Sequence, residues 1–293
     1  MKLGLQLNSF DWDGGSQRFG AMLAEIARTA EQAGFDRIAV ADHVWQHPIV
    51  GGPEANEPEC YAMLAFIAAN TDRVGLTAMV SGVHLRHPAV LVKTVTTLDV
   101  LSGGRAWLGI GSGHYEEETR GLGIPFPPQA ERFEMLEEMV QIALKMWGGK
   151  RGDERPFEGK HYELERPLNL PQSLTRPHPP IMIAGDGERK TLRLVARYAE
   201  AASLRPGPQV PDKLDVLRRH CEAEGRDYDS IEKTCAFGFD VGEGGEKVEE
   251  LIGQLRWLSD MGIETVIGMV PGVDRISSLE IIGREVIPAV AEF

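Results

Sequence analysis

The sequence is short of cysteine, and its few cysteines are not spaced for redox or metal chemistry. Only three occur in 293 residues, Cys60, Cys221 and Cys235, and no two of them form a Cys-x-x-Cys pair. An odd and low number of cysteines in so long a chain is typical of proteins in a reducing compartment. We therefore expect the protein to be cytoplasmic.

Positive charge is also scarce, and long apolar runs are missing. Lys and Arg number 31 against 44 Asp and Glu, which gives a net charge of −13 at pH 7. Nucleic acids and anionic membranes are bound by basic surfaces, so neither is an expected partner. No apolar run approaches the roughly 18 residues that span a bilayer, and the opening MKLGLQLNSF lacks the apolar core of a signal peptide.

The rest of the composition is that of a globular protein with a full core. Hydrophobic residues make up 42% of the chain and charged residues 26%, which excludes a disordered, collagen-like or coiled-coil chain. A (β/α)8 barrel needs about 250 residues, so the length fits one barrel with an insertion, or two ordinary domains.

Short apolar strands alternate with amphipathic helices along the chain. Strands are predicted over residues 3–7, 35–40, 74–80, 106–110, 181–183, 201–204, 234–241 and 265–270. Helical spacing of apolar residues follows the strands, beginning with Phe19, Met22 and Ile26 after the first, and a helix is predicted over residues 191–198 after the fifth. Such alternation predicts an α/β fold with a parallel sheet, and eight units close into a TIM barrel. A doubly wound sheet is the alternative.

The alternation breaks once, between residues 150 and 180. This stretch is rich in Pro and charged residues and contains the hairpin-like segment FEGKHYEL. We interpret it as an insertion before the fifth strand that lies over one end of the fold. No linker or internal repeat divides the remainder, so residues 1–293 are expected to form a single domain.

Polar residues follow several of the predicted strands. Catalytic groups of a TIM barrel lie at the carboxyl ends of the strands and in the loops beyond them, so position is the useful signal. A single histidine at such a place is more often structural than catalytic. The candidates are Asn8, Asp42, His43, Ser81, His84, Ser112, His114, the run Glu116 to Glu118 and the turn Gly185-Asp186-Gly187.

Two glycine-rich turns are candidate nucleotide or phosphate contacts. The turn AGDGERKTL joins a strand to a helix, where free N–H groups suit an anion. Arg189 and Lys190 would add positive charge there, whereas Asp186 and Glu188 oppose it. A plain turn with acidic helix capping is an equally good interpretation. The segment GIGSG at 109–113 is neither a Walker loop nor a complete GxGxxG motif, so it is a weak signal.

Two further interpretations of the residues at the strand ends are a metal site and a catalytic acidic run. His43, His84 and His114 together would permit a zinc hydrolase. The first strand carries no His-x-His, however, and no strand end offers a bridging lysine, so no metal is expected. The run Glu116-Glu117-Glu118 is interpreted as the start of a helix, and the alternative is that one of its carboxylates faces the pocket.

Several longer segments become specific when they are taken in order. EQAGFDRIAVADH is followed by HPAVLVKTVTTLDVLSGGRAWLGIGSG, HYEEETRGLGIPFP, ERFEMLEEMVQIALKMW and RPHPPIMIAGDGERKTLRLVARYAE. On these segments the chain, from Met1 to Phe293, resembles the bacterial luciferase-like monooxygenase superfamily, and within it the branch that uses the deazaflavin coenzyme F-420. The resemblance implies a TIM barrel with an insertion, in agreement with the strand count.

The resemblance also implies a flavin-type ring across the carboxyl-terminal mouth of the barrel. Residues matching Asp42 and His43 lie beside this ring in similar proteins, which implies that both are catalytic. His43 is then the expected proton donor or acceptor, because an imidazole exchanges protons near neutral pH. A non-prolyl cis peptide bond is expected at Gly82–Val83. The implied cofactor-binding residues are Asp42, Ser81, Gly82, Val83, Gly111, Ser112, Gly113, His114, Ala184, Gly185, Asp186 and Gly187.

Two cofactors suit such a site. Coenzyme F-420, an 8-hydroxy-5-deazaflavin, moves two electrons as hydride and reacts little with oxygen. FMN permits monooxygenation and would require a flavin reductase as partner. The similarity favours an oxidoreductase that transfers hydride between F-420 and a small organic substrate (an alcohol or carbonyl, or an activated alkene). The alternatives are an FMN-dependent monooxygenase and a flavin-binding protein without turnover.

The tail of coenzyme F-420 is polyanionic while this chain is acidic, so local positive charges must outweigh the negative field of the whole protein. The local cations available for the tail are Arg86, Lys93, Arg189 and Lys190.

The resemblance also implies a homodimer, but it does not identify the small-molecule substrate. Gly82 and His114 stand where many relatives carry Cys and Trp, so the substrate of those relatives is not carried over.

Overall fold

A computed structural model describes residues 1–293 and contains eight parallel strands closed into a barrel. Every neighbouring pair in the ring is parallel, and the last strand pairs with the first, so the ring has no open edge. The strands are β1 Lys2–Leu7, β2 Arg37–Val40, β3 Gly75–Ala78, β4 Ser81–Gly82, β5 Ala106–Gly111, β6 Phe157–Glu158, β7 Glu163–Leu164, β8 Ile181–Ala184, β9 Ala201–Leu204, β10 Glu232–Gly238 and β11 Thr265–Met269. The short β4 continues the line of β3 along β5, and β6 and β7 lie outside the barrel.

Helices surround the barrel and return the chain from one strand to the next. They are α1 Gly15–Ala33, α2 Cys60–Ala68, α3 Pro88–Ser102, α4 Glu116–Gly121, α5 Gln129–Trp147, α6 Thr191–Tyr198, α7 Val210–Glu224, α8 Val248–Asp260, α9 Ser277–Ile281 and α10 Ile287–Val290, with a π-helical turn over Ile282–Val286. None of them is both long enough and apolar enough to cross a bilayer.

The predicted (β/α)8 barrel is confirmed, because all eight predicted strands are present in the ring. The helix predicted over 191–198 and the strand predicted over 201–204 have the predicted bounds. Local signals explain this agreement. The first helix, for example, ends where Gly34 takes a left-handed φ of 96° and its N–H bonds back to the carbonyls of Ala30 and Glu31.

The amino-terminal end of the barrel is closed by a buried ion pair. Arg37, the first residue of β2, donates from Nη2 to both carboxylate oxygens of Glu232 on β10 at 2.8 and 2.9 Å, and from Nε to Asp36 at 2.7 Å. Above this pair, Ala39, Met182 and Ile267 fill the barrel interior. The opposite, carboxyl-terminal end is therefore the one open to a ligand.

The segment predicted as an insertion contains the predicted hairpin. Its strands, β6 and β7, are antiparallel, with Phe157 opposite Leu164. The hairpin is fastened to α5, because Glu138 accepts hydrogen bonds from the backbone N–H groups of Lys160 and Tyr162 at 2.8 and 3.0 Å. The Tyr162 hydroxyl donates to the carbonyl of Val83 at 3.4 Å, so the hairpin reaches the loop after β4.

Candidate active site

His43, directly after β2, is held by a buried carboxylate from α4. Its Nδ1 lies 3.1 Å from Oε2 of Glu118, which has no solvent exposure. The other oxygen of Glu118 accepts the backbone N–H groups of Val44 and Trp45 at 2.6 and 3.0 Å. Burial would raise the pKa of Glu118, but these three hydrogen bonds outweigh it and lower that pKa.

The charge of Glu118 determines which nitrogen of His43 carries the proton. An ionised carboxylate only accepts hydrogen bonds, so the imidazole must donate from Nδ1. Nε2 of His43 is then left with its lone pair, ready to accept a proton. The pair can therefore act as an oriented general base and, once protonated, as a general acid.

Asp42, the residue before His43, is bound on both of its oxygens. It is only 2% exposed. Arg86 donates to it from Nε and Nη2 at 2.9 and 2.7 Å, and the Ser81 hydroxyl donates at 2.6 Å. Tyr61 lies 2.9 Å from the same serine hydroxyl and supplies a hydrogen bond to it. Asp42 therefore fixes the backbone next to His43 and ties β2 to the segment after β3.

Aromatic side chains surround His43 at the mouth. The ring of His114 lies 5.6 Å from the ring of His43, and that of His47 lies 5.9 Å from it. Tyr115 stands edge-on to His43 at 5.8 Å, and its buried hydroxyl has no hydrogen-bond partner. Desolvation and the neighbouring imidazoles lower the pKa of His114 and of His47. The imidazole rings of His114 and His47 are thus uncharged at pH 7.

His84 lies over two glycines of the mouth. A Cβ at Gly82 would lie 2.7 Å from its Cε1, and a Cβ at Gly113 would clash with the ring, so a side chain at either position would require the ring of His84 to move. Neither ring nitrogen of His84 has a hydrogen-bond partner. Burial and the nearby Arg132 lower the pKa of His84 to about 4. A neutral imidazole with both nitrogens unsatisfied is a feature that a polar, flat ligand would complete.

The expected cis peptide bond is present but was placed wrongly. The structure has a non-prolyl cis bond at Met79–Val80, three residues before the predicted Gly82–Val83. The cis bond lies earlier than predicted because of where β4 begins. Ser81 and Gly82 already form β4 alongside Ile110 and Gly111, so the break in the strand comes at Met79–Val80, directly after β3.

The glycine-rich turn after β8 has its acidic side chains neutralised. Asp186 accepts two hydrogen bonds from Arg205, at 2.9 and 3.1 Å, and Glu188 pairs with Lys213 at 2.6 Å. Gly185 has a φ of 124°, which a larger residue would adopt only with strain. The negative charges of Asp186 and Glu188, which would repel an anion, are thus neutralised by ion pairs in the folded protein.

The remaining predicted residues take different positions around the mouth. Val83 is buried in the core, and its N–H bonds to the carbonyl of Gly111 at 3.1 Å. Ser112 offers its carbonyl to Arg132 at 3.0 Å, and Ala184 is the last residue of β8. Asn8 after β1 donates to the sulfur of Met269.

The sequence offered the whole run Glu116 to Glu118 as a candidate but did not single out Glu118, and it did not predict that Arg86 supports the site. In α4 the only buried residues are Glu118 and Thr119, so one carboxylate of the acidic run turns inward while its two neighbours face solvent. The run itself was a signal, but its direction depends on how the helix packs. Arg86 was considered only as a cation for a coenzyme tail, whereas it pairs with Asp42 and Glu59.

Glu57, in the loop before α2, is a half-buried acid without a full set of partners. Its Oε1 is buried and makes no hydrogen bond. Burial and the nearby carboxylates of Glu118 and Asp42 raise the pKa of Glu57 to about 8, although the side chain of Gln46 opposes this. Glu57 therefore carries a proton at neutral pH.

Glu57→Gln is expected to remove a pH-dependent loss of stability. The folded state keeps a proton that the unfolded state releases, so stability falls as the pH rises from about 4.5 through about 8. Allowing for solvent at this half-buried site, the variant should gain about 2 kcal/mol over the wild type at pH 8.5 relative to pH 5. Urea unfolding at the two pH values measures this gain. Glu54→Gln, an exposed change in the same loop, is the control, and an equal difference at both pH values for Glu57→Gln would refute the assignment.

Glu118→Gln should lower turnover by about tenfold to a hundredfold. The amide can donate to Nδ1 of His43, which would move the ring proton to Nε2 and block proton acceptance there. The amide oxygen still accepts the N–H groups of Val44 and Trp45, so folding should change little. The measurement is the pH profile of kcat/KM beside thermal unfolding. A variant with normal turnover and an unchanged profile would show that Glu118 does not orient His43.

Comparison with protein families gives one match that covers most of the chain. Residues 5–270 match the family described as luciferase-like monooxygenase. This span includes every strand of the barrel beyond the first residues of β1, and every candidate residue of the mouth.

Two curated proteins and one solved structure are similar to the chain. F420-dependent glucose-6-phosphate dehydrogenases of Nakamurella multipartita and Kineococcus radiotolerans are each 32% identical, over 76% and 72% of this chain. The matched regions are 65% and 61% of those proteins, so the chain spans less than two thirds of their length. A structure titled "F420-dependent secondary alcohol dehydrogenase in complex with an F420-acetone adduct" superposes with a TM-score of 0.82 at 18% identity, covering 99% of this chain and 98% of that one. At this identity the likeness concerns the fold.

Proposed function

The chain belongs to the luciferase-like monooxygenase family, and from that membership we propose that it is an oxidoreductase using coenzyme F-420. The proposed reaction is hydride transfer between the coenzyme and a small organic substrate, an alcohol or carbonyl, or an activated alkene. The curated relatives that carry F420 in their names support the choice of coenzyme. Their dehydrogenase activity favours the alcohol and carbonyl pair over the alkene.

The mouth of the barrel fits a flat heterocycle. The ring of His84 packs on Gly82 and Gly113, and its two nitrogens and the hydroxyl of Tyr115 are buried polar groups without partners. Gly111 and Ser112 continue this lining at the end of β5, while the turn from Ala184 to Gly187 suits a phosphate. When bound, the deazaflavin supplies two-electron hydride chemistry.

The observation that carries the proposal is the His43–Glu118 pair beside this glycine-lined mouth. His43 accepts at Nε2 the proton that leaves the substrate hydroxyl when its carbon loses a hydride. Glu118 keeps the other nitrogen protonated and stabilises the imidazolium that forms. Asp42, held by Arg86 and Ser81, keeps the backbone at His43 in position.

Equilibrium binding of coenzyme F-420, and separately of FMN, to the purified protein tests the proposal. Micromolar binding of the deazaflavin with weak binding of FMN is the expected result. Tight binding of FMN with weak binding of the deazaflavin would overturn it in favour of an oxygen-consuming monooxygenase. Binding of neither would refute both cofactors.

We also propose that the protein is a homodimer. Apolar side chains are exposed on neighbouring helices, with Val90 and Leu101 of α3 61% and 67% exposed. They border a 660 Å³ cavity between α2, α3 and the segment after the hairpin, lined by Ala65 and Leu168 among others. A second copy would cover this face. Sedimentation at equilibrium tests the proposal, and a monomer at micromolar concentration would refute it.

A further inference from the structure

A second cavity lies beside the mouth, between the first half of α5 and α6. Its volume is 170 Å³. The groove begins at Arg189, two residues after Gly187, so it adjoins the candidate phosphate turn. Its lining is mostly charged and consists of Phe133, Glu134, Glu137, Arg189, Lys190, Arg193, Leu194 and Arg197.

The carboxylates of this groove are already paired with cations. Glu134 bonds to Lys160 at 2.7 Å and to His161 at 2.8 Å, both from the hairpin. Glu137 bonds to Arg197 at 3.1 Å and accepts the hydroxyl of Tyr198 at 3.2 Å. Neither carboxylate is therefore free to neutralise the rest of the lining.

Two cations of the groove have no acidic partner. Arg189 makes no ion pair or side-chain hydrogen bond, and the ammonium of Lys190 lies 5.3 Å from the ring of Phe133 rather than beside a carboxylate. Arg193 has a loose partner, Glu224, at 3.7 Å. Although the chain has a net charge of −13, the unpaired cations make this groove locally positive, so it can attract an anion.

The other two cations considered from the sequence are committed elsewhere. Arg86 is bound to Asp42 and Glu59 at the opposite side of the mouth. Lys93 donates to the side chain of Asn169 and to the carbonyl of Leu170. Both positive charges are thus used to hold the fold together.

We propose that the groove of Arg189, Lys190 and Arg193 binds the anionic tail of the coenzyme where it leaves the barrel. This inference rests on the proposed function, because it assumes that a deazaflavin ring occupies the mouth. The groups recognised are phosphate and carboxylate oxygens, to which exposed guanidinium and ammonium groups bind as charge-assisted donors. A phosphorylated substrate presents the same chemistry, and the experiment separates the two sources.

The test compares two ligands and two double variants by equilibrium binding, followed by fluorescence. The ligands are coenzyme F-420 with its tail and the same deazaflavin without phosphate and tail. Arg189→Ala with Lys190→Ala should weaken binding of the tailed ligand by about tenfold, since two exposed charge pairs are lost, and leave the tail-less ligand unchanged. The matched control removes two exposed arginines outside the groove, Arg256→Ala with Arg284→Ala, and should change neither affinity.

Other outcomes would refute either the role of the groove or the proposed function. If both ligands bind the wild type equally and the groove variant changes neither, the inference fails while the proposed function stands. If neither ligand binds the wild type, the proposed function itself fails. If the groove variant weakens binding of glucose 6-phosphate but not of the tailed coenzyme, the groove is a substrate site and the inference is wrong. Rising salt should weaken binding of the tailed ligand more than that of the tail-less one.

Discussion

His43→Ala should reduce kcat by about a thousandfold while the coenzyme still binds. A positioned general acid or base contributes typically 10²- to 10⁴-fold, and His43 is the side chain at the mouth with an oriented, proton-accepting nitrogen. The ring is partly exposed, so its removal leaves no large buried cavity. The measurement is kcat with the identified substrate, together with the dissociation constant of the coenzyme.

A second histidine far from the mouth serves as the matched control. His178 precedes β8 at the closed end of the barrel, where its ring stacks on Trp147 at 5.8 Å. His178→Ala should keep kcat within about threefold of the wild type, as expected for a change remote from the reacting groups. Normal turnover in His43→Ala would contradict the proposed base. Loss of coenzyme binding in that variant would instead make His43 a binding residue.

Arg86→Ala is expected to destabilise the protein by about 3–5 kcal/mol. The substitution leaves Asp42 buried with Ser81 as its single remaining side-chain partner, and an uncompensated buried charge carries a penalty of that order. It also frees Glu59, whose other oxygen accepts the N–H of Ala62 at the start of α2. Chemical denaturation at neutral pH measures the loss.

A double variant separates the charge from the packing. Asp42→Asn removes the charge that Arg86 compensates, so Asp42→Asn with Arg86→Ala should be more stable than Arg86→Ala alone. The recovered part is the coupling energy of the pair. If the double variant is no more stable than the single one, the cost comes from the lost contact of Arg86 with the ring of Tyr61, 4.7 Å away, and the charge argument is wrong.

The barrel was predictable because its signals are local. Alternating apolar residues, glycine stops and helical spacing each act over a few residues, and β9 and α6 were predicted with their observed bounds. The residues that follow each strand can also be read from the sequence, so His43 and the turn at Gly185 could be assigned to the mouth from the sequence alone. In a parallel barrel, every strand end arrives at the same face.

The contacts within the mouth were not predictable to the same degree. Glu118 reaches His43 across 75 positions of sequence, and nothing in the run Glu116-Glu117-Glu118 distinguishes the inward residue from its neighbours. The raised pKa of Glu57 likewise depends on its burial and on two carboxylates, one that follows β2 and one on α4. The cis bond was misplaced for a related reason, since its position depends on the pairing of β4 with β5.

The pairing of β1 with β11 has a consequence for synthesis on the ribosome. Lys2 lies opposite Thr265, so the ring cannot close until β11 has emerged, more than 260 residues after β1 begins. Until then the growing sheet has two open edges, at β1 and at the latest strand completed, each with unpaired N–H and C=O groups. Long-range pairing of this kind slows folding and exposes nascent chains to aggregation. We therefore expect the yield of folded protein to depend on chaperone supply and on growth temperature during expression.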